Sequence, residues 1–197
     1  MIYSDIFGIG DSEEVASRPR ALQVFVESSI NCCALLIGPT DGKKTAHFQG
    51  SGEDEHGMIG WLADQLFIML QDKEEQAGGA YKYKVEVSFS EHYEEVMTDL
   101  LKPDNKDLNI KMDPQHGYVV GGLHSVACKS AEELKAKLEY GRKSRKTQIF
   151  STGPANDSTA AVFEIVLRQE EGDSPQSMQT NISRIGEMWL PKKYSHA

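Results

Sequence analysis

The sequence predicts an α/β fold of three layers, a mixed and mostly parallel sheet flanked by helices. Three observations predict it. Cys32 to Ile37 is a continuous apolar run of strand length, the pattern of a strand covered on both faces. A loop containing Gly and Lys follows, and then a broad apolar helical face from Gly57 to Gln71. Beyond it, segments of strand period and helix period alternate, as in a sheet with helices packed against it. At 197 residues and 39% hydrophobic, the chain can bury a core and reads as one domain over residues 1–197.

Each element has its own signal. Ile2 to Phe7 alternates as a short strand closed by Gly8 and Gly10, and Asp11 to Ser29 reads as helical, with Arg18-Pro19-Arg20 a candidate break. In Gly57 to Gln71 the residues Met58, Ile59, Trp61, Leu62, Leu66, Phe67, Ile68 and Leu70 mark the buried face, and Asp72 to Ala80 reads as a charged loop. Tyr83 to Phe89 has period two and predicts a strand, Glu91 to Leu101 a short helix, and Lys102 to Asp107 an exposed turn. Leu108 to Met112 and Tyr118 to Val126 are two more strands around Asp113-Pro-Gln-His-Gly117. Ser130-Ala-Glu-Glu133 is a capping box, and the helix it opens is expected to end near Tyr140 with Gly141 as its left-handed cap. Ala160 to Leu167 is a strong strand, 170–183 a polar insertion, and Ile185 to Leu190 a last strand.

Charge and composition narrow the function. A formal charge of -9 argues against a general nucleic-acid binder, because no basic face is available to displace counterions from phosphates. Three cysteines, Cys32, Cys33 and Cys128, suit a reducing compartment, and the adjacent pair reads as core thiols. The six histidines do not cluster at metal-ligand spacing, so no metal site is expected. The N-terminus lacks the features of a signal peptide and no apolar stretch reaches membrane length, which together predict a soluble intracellular chain with no membrane partner.

One loop carries recognisable chemistry. Leu35-Leu-Ile-Gly-Pro-Thr-Asp-Gly-Lys-Lys-Thr45 follows a buried strand in the outline of a phosphate-binding loop, Gly-x-x-x-x-Gly-Lys-Ser/Thr. Gly38, Lys44 and Thr45 are in register, whereas Lys43 stands at the second glycine. Such a loop works by aiming backbone N–H groups at phosphate oxygens, which glycine permits and a side chain obstructs. Asp41, beside Gly42, adds negative charge where phosphate would lie. A plain surface turn is the other reading of the same residues. A second cluster, Arg142, Lys143, Arg145 and Lys146, reads either as cations complementing a helix C-terminus or as a contact for an anionic partner.

The order of these segments resembles the kinesin motor domain from Tyr3 to about Leu190. Tyr3-Ser-Asp-Ile-Phe-Gly8 is similar to the family's Phe-Asp-x-Val-Phe-Gly strand, and Ala34 to Thr45 falls where the family has its nucleotide loop. Val85-Glu-Val-Ser-Phe-Ser-Glu-His-Tyr-Glu-Glu-Val-Met-Thr-Asp-Leu-Leu101 resembles Val-Ser-Tyr-x-Glu-Ile-Tyr-Asn-Glu-x-Ile-x-Asp-Leu-Leu. Tyr118-Val-Val-Gly-Gly-Leu123, Ser130 to Glu133 and Gly141 to Arg145 keep the family's spacing, and Ala161-Val-Phe163 opens the strand after its first nucleotide-sensing switch.

The departures fall on the catalytic parts. The first switch's Arg and His fall on Ser158 and Ala160, and its Mg²⁺-holding hydroxyls on Asn156 and Asp157. The second switch falls on Trp189 to Tyr194, with Lys192 at its glycine. The resemblance therefore implies a P-loop NTPase-related core, incomplete at both ends, in a non-catalytic kinesin-like structural protein without cofactor. Its expected home is the cytoskeleton, with the cilium or axoneme as a candidate. Its implied partners are tubulin or microtubule-associated proteins and a protein that completes the sheet or covers its exposed face. Expected contacts are Lys102, Lys106, Lys111, the cluster Arg142 to Lys146, and Trp189. The alternatives are an ATP-binding motor fragment that takes ATP and Mg²⁺, and an unrelated α/β binding module.

Overall fold

A computed structural model of the chain describes residues 12–38, 57–93, 96–105, 108–114, 117–152, 159–172 and 179–191. Helix α1 (Ser12–Glu27) runs through Pro19 without a break and leads to strand β1 (Cys32–Gly38). Leu22, Phe25 and Val26, all buried, anchor the second half of α1, so packing offsets the backbone bond that proline removes. Helix α2 (Gly57–Gln76) extends past the expected end at Gln71, and the connection shrinks to a turn at Ala77–Ala80. Strand β2 (Tyr81–Tyr93) follows, then the short β3 (Val96–Asp99).

Two smaller strands, β4 (Asn109–Asp113) and β5 (Gly117–Gly121), form a separate antiparallel hairpin. Gly122, at φ 82, turns the chain out of β5, so the strand expected over Tyr118 to Val126 divides and resumes as β6 (Val126–Cys128). Helix α3 (Ala131–Thr152) is opened by the predicted capping box: the Glu133 amide donates to Ser130 Oγ at 3.3 Å and the Lys129 amide to Glu133 Oε2 at 2.8 Å. The chain ends its described course in β7 (Thr159–Glu171) and β8 (Gln179–Pro191). These two strands absorb both ends of the expected polar insertion. The strand expected at Ile2 to Phe7 lies outside the described residues.

The sheet order is β1-β8-β7-β2-β3, with β6 also pairing β2. Only β1 and β8 are parallel among the described pairs; β8–β7, β7–β2, β2–β3 and β2–β6 are antiparallel. The expected mostly parallel sheet is thus corrected to a mixed, mostly antiparallel one. Hydrophobic period reports which face of a strand is buried, and strand direction leaves no mark in it.

α1 packs on α2 and α2 on α3, forming one helical layer against β2 and β8. On β2 the residues Tyr81, Val85, Val87 and Phe89 face that layer and are buried, as are Ala161, Phe163, Ile165 and Leu167 on β7. The opposite face carries Lys82, Lys84, Glu86, Glu164 and Arg168, together with the buried Ser88 and Val166. Lys84 and Arg168 both pair with Glu86, each at 2.9 Å.

Two further departures have clear causes. In place of the helix expected over Glu91 to Leu101, Glu91–Tyr93 ends β2 and Val96–Asp99 is β3, and Ser90, Glu91 and Asp99 are buried polar residues held by specific partners. Gly141 is not a cap: it lies inside α3, and a Cβ there would run into the Phe89 ring. Its role is close approach of helix and strand. Phe89 is itself fixed edge-on against Phe163, ring centroids 5.3 Å apart.

Candidate functional site

Strand directions gather several chain ends on one edge of the sheet. β1 and β8 run in parallel, so Gly38 and Pro191 end side by side. β7 is antiparallel to β8, which brings its start to the same edge, with Ala161 opposite Trp189. β2 is antiparallel to β7 and ends there too, with Tyr93 opposite Thr159. In open α/β sheets ligands sit beyond the carboxyl ends of strands, and this edge holds three of them. The phosphate-type loop leaves from Gly38; Asp41, Gly42, Lys43, Lys44 and Thr45 lie outside the described residues.

The first-switch positions Asn156, Asp157 and Ser158 are likewise outside the described residues, immediately before β7 in sequence. Ala160 is described, and its direct cross-strand partner is His92. An imidazole therefore stands on the neighbouring strand, opposite the position at which the resemblance has one. Of the second-switch span, Trp189 to Pro191 belongs to β8 and Lys192 to Tyr194 is outside the described residues.

The basic cluster is placed differently from expectation. The helix continues through it, so it does not cap a C-terminus. Arg142 Nε lies 2.7 Å and Lys143 Nζ 3.7 Å from the Glu139 carboxylate, which they hold below the usual range, the nearer Arg142 guanidinium contributing most. Arg145 Nε donates to Glu91 Oε1 at 2.6 Å, with side-chain exposures of 12% and 6%. The side chain of Lys146 is outside the described residues, as is that of Trp189, whose backbone pairs with Ala161 and Leu36. Lys102 and Lys111 are exposed, and Lys106 is outside the described residues.

Several residues near this edge were not singled out by the sequence as candidates for the site. Asp99 is 0% exposed and accepts hydrogen bonds from the amides of Leu101, Lys102 and His124 and from Asn105 Nδ2, at 2.8–3.0 Å. It ties the turn after β3 to the approach to β6. Ser90 Oγ and His92 Nε2 are 3.0 Å apart, and burial lowers the pKa of the imidazole. Cys33 is exposed, which corrects its reading as a core thiol, whereas Cys128 is buried and burial pushes its thiol up to about 11. No group of three metal-ligating side chains occurs among the described residues, and no described helix is long and apolar enough to cross a membrane.

Comparison with known proteins agrees with this geometry. The family model of the kinesin motor domain matches residues 10–190. Kinesin-related protein 1 of Dictyostelium discoideum is 30% identical over 163 residues, which cover 81% of this chain and 7% of that protein. Kinesin-like protein KIF1A of Rattus norvegicus is 30% identical over 158 residues, 79% of this chain and 9% of that protein. A solved fast kinesin has the same fold, with a TM-score of 0.73 and 17% identity over 89% of this chain and 52% of that one. The chain thus spans less than a tenth of these two curated relatives and about half of the solved motor.

These matches correct two expectations. Kinesin motor domains are microtubule-stimulated ATPases that bind ATP with Mg²⁺. The expectation of a chain that is no enzyme and takes no cofactor is overturned by the match of a motor-domain model to 10–190. By the span of that match and the agreement of fold, the chain belongs to the kinesin motor domain family.

Proposed function

We propose that this chain is the nucleotide-binding part of a kinesin motor, taking Mg-ATP at the edge where β1 and β8 end and turning it over in contact with microtubules. The observation that carries the reading is the position of Gly38. It ends a strand whose parallel neighbour β8 ends beside it, and β7 begins at the same edge. Lys44 is the residue for the phosphates and Thr45 the hydroxyl for Mg²⁺, as the spacing of the loop requires. Lys43 at the second glycine and the charge of Asp41 set the affinity below that of an unobstructed loop.

On the microtubule side, the candidate contact is the β4–β5 hairpin with Lys102 and Lys111, and Lys106 belongs to the same stretch. Ile110, Met112 and Tyr118 of this hairpin are exposed, Tyr118 by 79%, so the hairpin offers apolar area as well as charge. Of the basic cluster, Arg145 is engaged inside the fold with Glu91 and is not counted as a contact.

The test is titration of the chain with a fluorescent ADP analogue in Mg²⁺, followed by phosphate release with and without microtubules. Saturable binding that Lys44→Ala abolishes is expected, together with phosphate release that rises when microtubules are added. Asp41→Gly with Lys43→Gly is expected to tighten binding. Absence of saturable binding at millimolar nucleotide would overturn the proposal.

A further inference from the structure

We propose that Glu91 and Arg145 are positioning residues for nucleotide turnover: their buried ion pair pins the last turns of α3 over the edge of the sheet that holds the nucleotide. The inference rests on the nucleotide reading above. Glu91 pairs with Ala161, Ala161 with Trp189, and Trp189 with Leu36. One row therefore crosses four strands from the ion pair to a residue two before Gly38, a lateral distance of about 14 Å at ordinary strand spacing.

The fit of α3 to β2 is specified twice. Leu134, Leu138, Gly141 and Arg145 recur at helical spacing, and the first three are buried. On the strand, Phe89 and Glu91 are neighbours on one face. Gly141 meets Phe89 by close approach, and one turn later Arg145 meets Glu91 by charge. Gly141 sets how near the helix comes, and the ion pair fixes where along its axis it stops.

A stability role alone does not explain a charge at this position. Leu134 and Leu138 continue the same stripe with apolar side chains, and a well-packed apolar pair commonly stabilises as much as a buried ion pair or more. The stripe turns ionic only at the row nearest the nucleotide edge. Beyond the pin, α3 continues to Thr152, about 10 Å of helix, and the chain then returns through six residues to Thr159, opposite Tyr93. A fixed root there sets the geometry of that return, and positioning errors near 1 Å are costly to catalysis.

The experiment compares three variants of the full chain with the wild type. Nucleotide binding of the wild type is measured first; its absence would overturn the nucleotide reading and this inference together. Glu91→Leu with Arg145→Met replaces the pair by apolar groups. It is expected to keep Tm within a few degrees and to lower kcat for ATP about tenfold or more, with KM changed less than threefold. The swapped pair, Glu91→Arg with Arg145→Glu, is expected to recover part of kcat. Tyr81→Phe removes the buried hydrogen bond to Gln169 at the far end of β2 without touching the pair, and is expected to lower Tm while kcat below the transition stays near wild type. Wild-type kcat in the apolar variant would overturn the inference, as would a fall in kcat in every variant in proportion to its loss of Tm. Should the apolar variant fail to fold, Glu91→Gln, which keeps a hydrogen-bond acceptor and removes the charge, decides on the same kcat readout.

Discussion

His92 shows how one buried side chain makes stability depend on pH. Burial holds its folded pKa below the ordinary 6.5, so the unfolded chain takes up a proton first as pH falls. The stability contributed by the neutral ring is complete above about 6.5 and is withdrawn as pH drops towards the folded value. Glu86, held below the ordinary 4.5 chiefly by hydrogen bonds from Lys84 and Arg168, acts in a lower window. Its contribution is full above 4.5 and is lost as pH falls through its folded value. Urea midpoints measured from pH 7.5 to 3 should therefore fall in two limbs, and His92→Gln should flatten the upper limb alone. A second residue-scale outcome concerns the thiols. Iodoacetamide at pH 7.5 should label exposed Cys33 within minutes, whereas buried Cys128, with its thiol pushed up to about 11, should react only on unfolding. Mass spectrometry of the labelled peptides reads both rates. Rapid labelling of Cys128 in the folded chain would show that the β6–α3 corner opens readily.

At the scale of elements, α3 is the informative helix. Gly141→Ala gains helix propensity worth about 1 kcal/mol, yet its Cβ collides with a Phe89 ring already locked against Phe163. Overpacking of this kind costs about 1–3 kcal/mol, so a net loss is expected, read as a lower Tm. Phe89→Leu should relieve part of it, so a double mutant less damaging than the sum of the two singles would confirm the contact. The same glycine explains why the end of this helix was misread. A glycine after a capped amphipathic run usually closes the helix, and only the facing ring shows that it serves close packing. Polar residues hid the rest of β2 in the same way. Ser90 and Glu91 interrupt the apolar alternation, and their partners His92 and Arg145 had no local signal, Arg145 lying 54 positions away. By contrast the capping box at Ser130 and the strands at Cys32 and Ala160 were legible, because their causes are local: a side chain beside its own backbone, or a run of apolar residues. Of the site, the strand that ends at Gly38 was legible from its apolar run. The ion pair behind it was not.

For the whole molecule, ligand linkage gives a direct check. Nucleotide that binds only the folded chain should stabilise it by about 2.7 kcal/mol at a hundredfold excess over Kd, visible as a rise in Tm that Lys44→Ala removes. Microtubule contact through the hairpin predicts a different pattern. Lys111→Glu should weaken co-sedimentation at low salt and leave Tm unchanged, since Lys111 is exposed, and the difference should vanish as salt screens the charge. An unchanged affinity would remove the hairpin from the contact surface. The single parallel pair has a further consequence during synthesis. β1 hydrogen-bonds to β8, and Cys32 meets Ile185 only after about 150 further residues have been made. At ribosomal rates of about 5–20 residues per second, the apolar strand waits roughly 7–30 seconds before its partner exists. The antiparallel β2–β7 ladder is complete sooner than that. The nucleotide edge is therefore the last part of the sheet to close, and a nascent chain stalled before β8 presents its most apolar strand without the neighbour that pairs it.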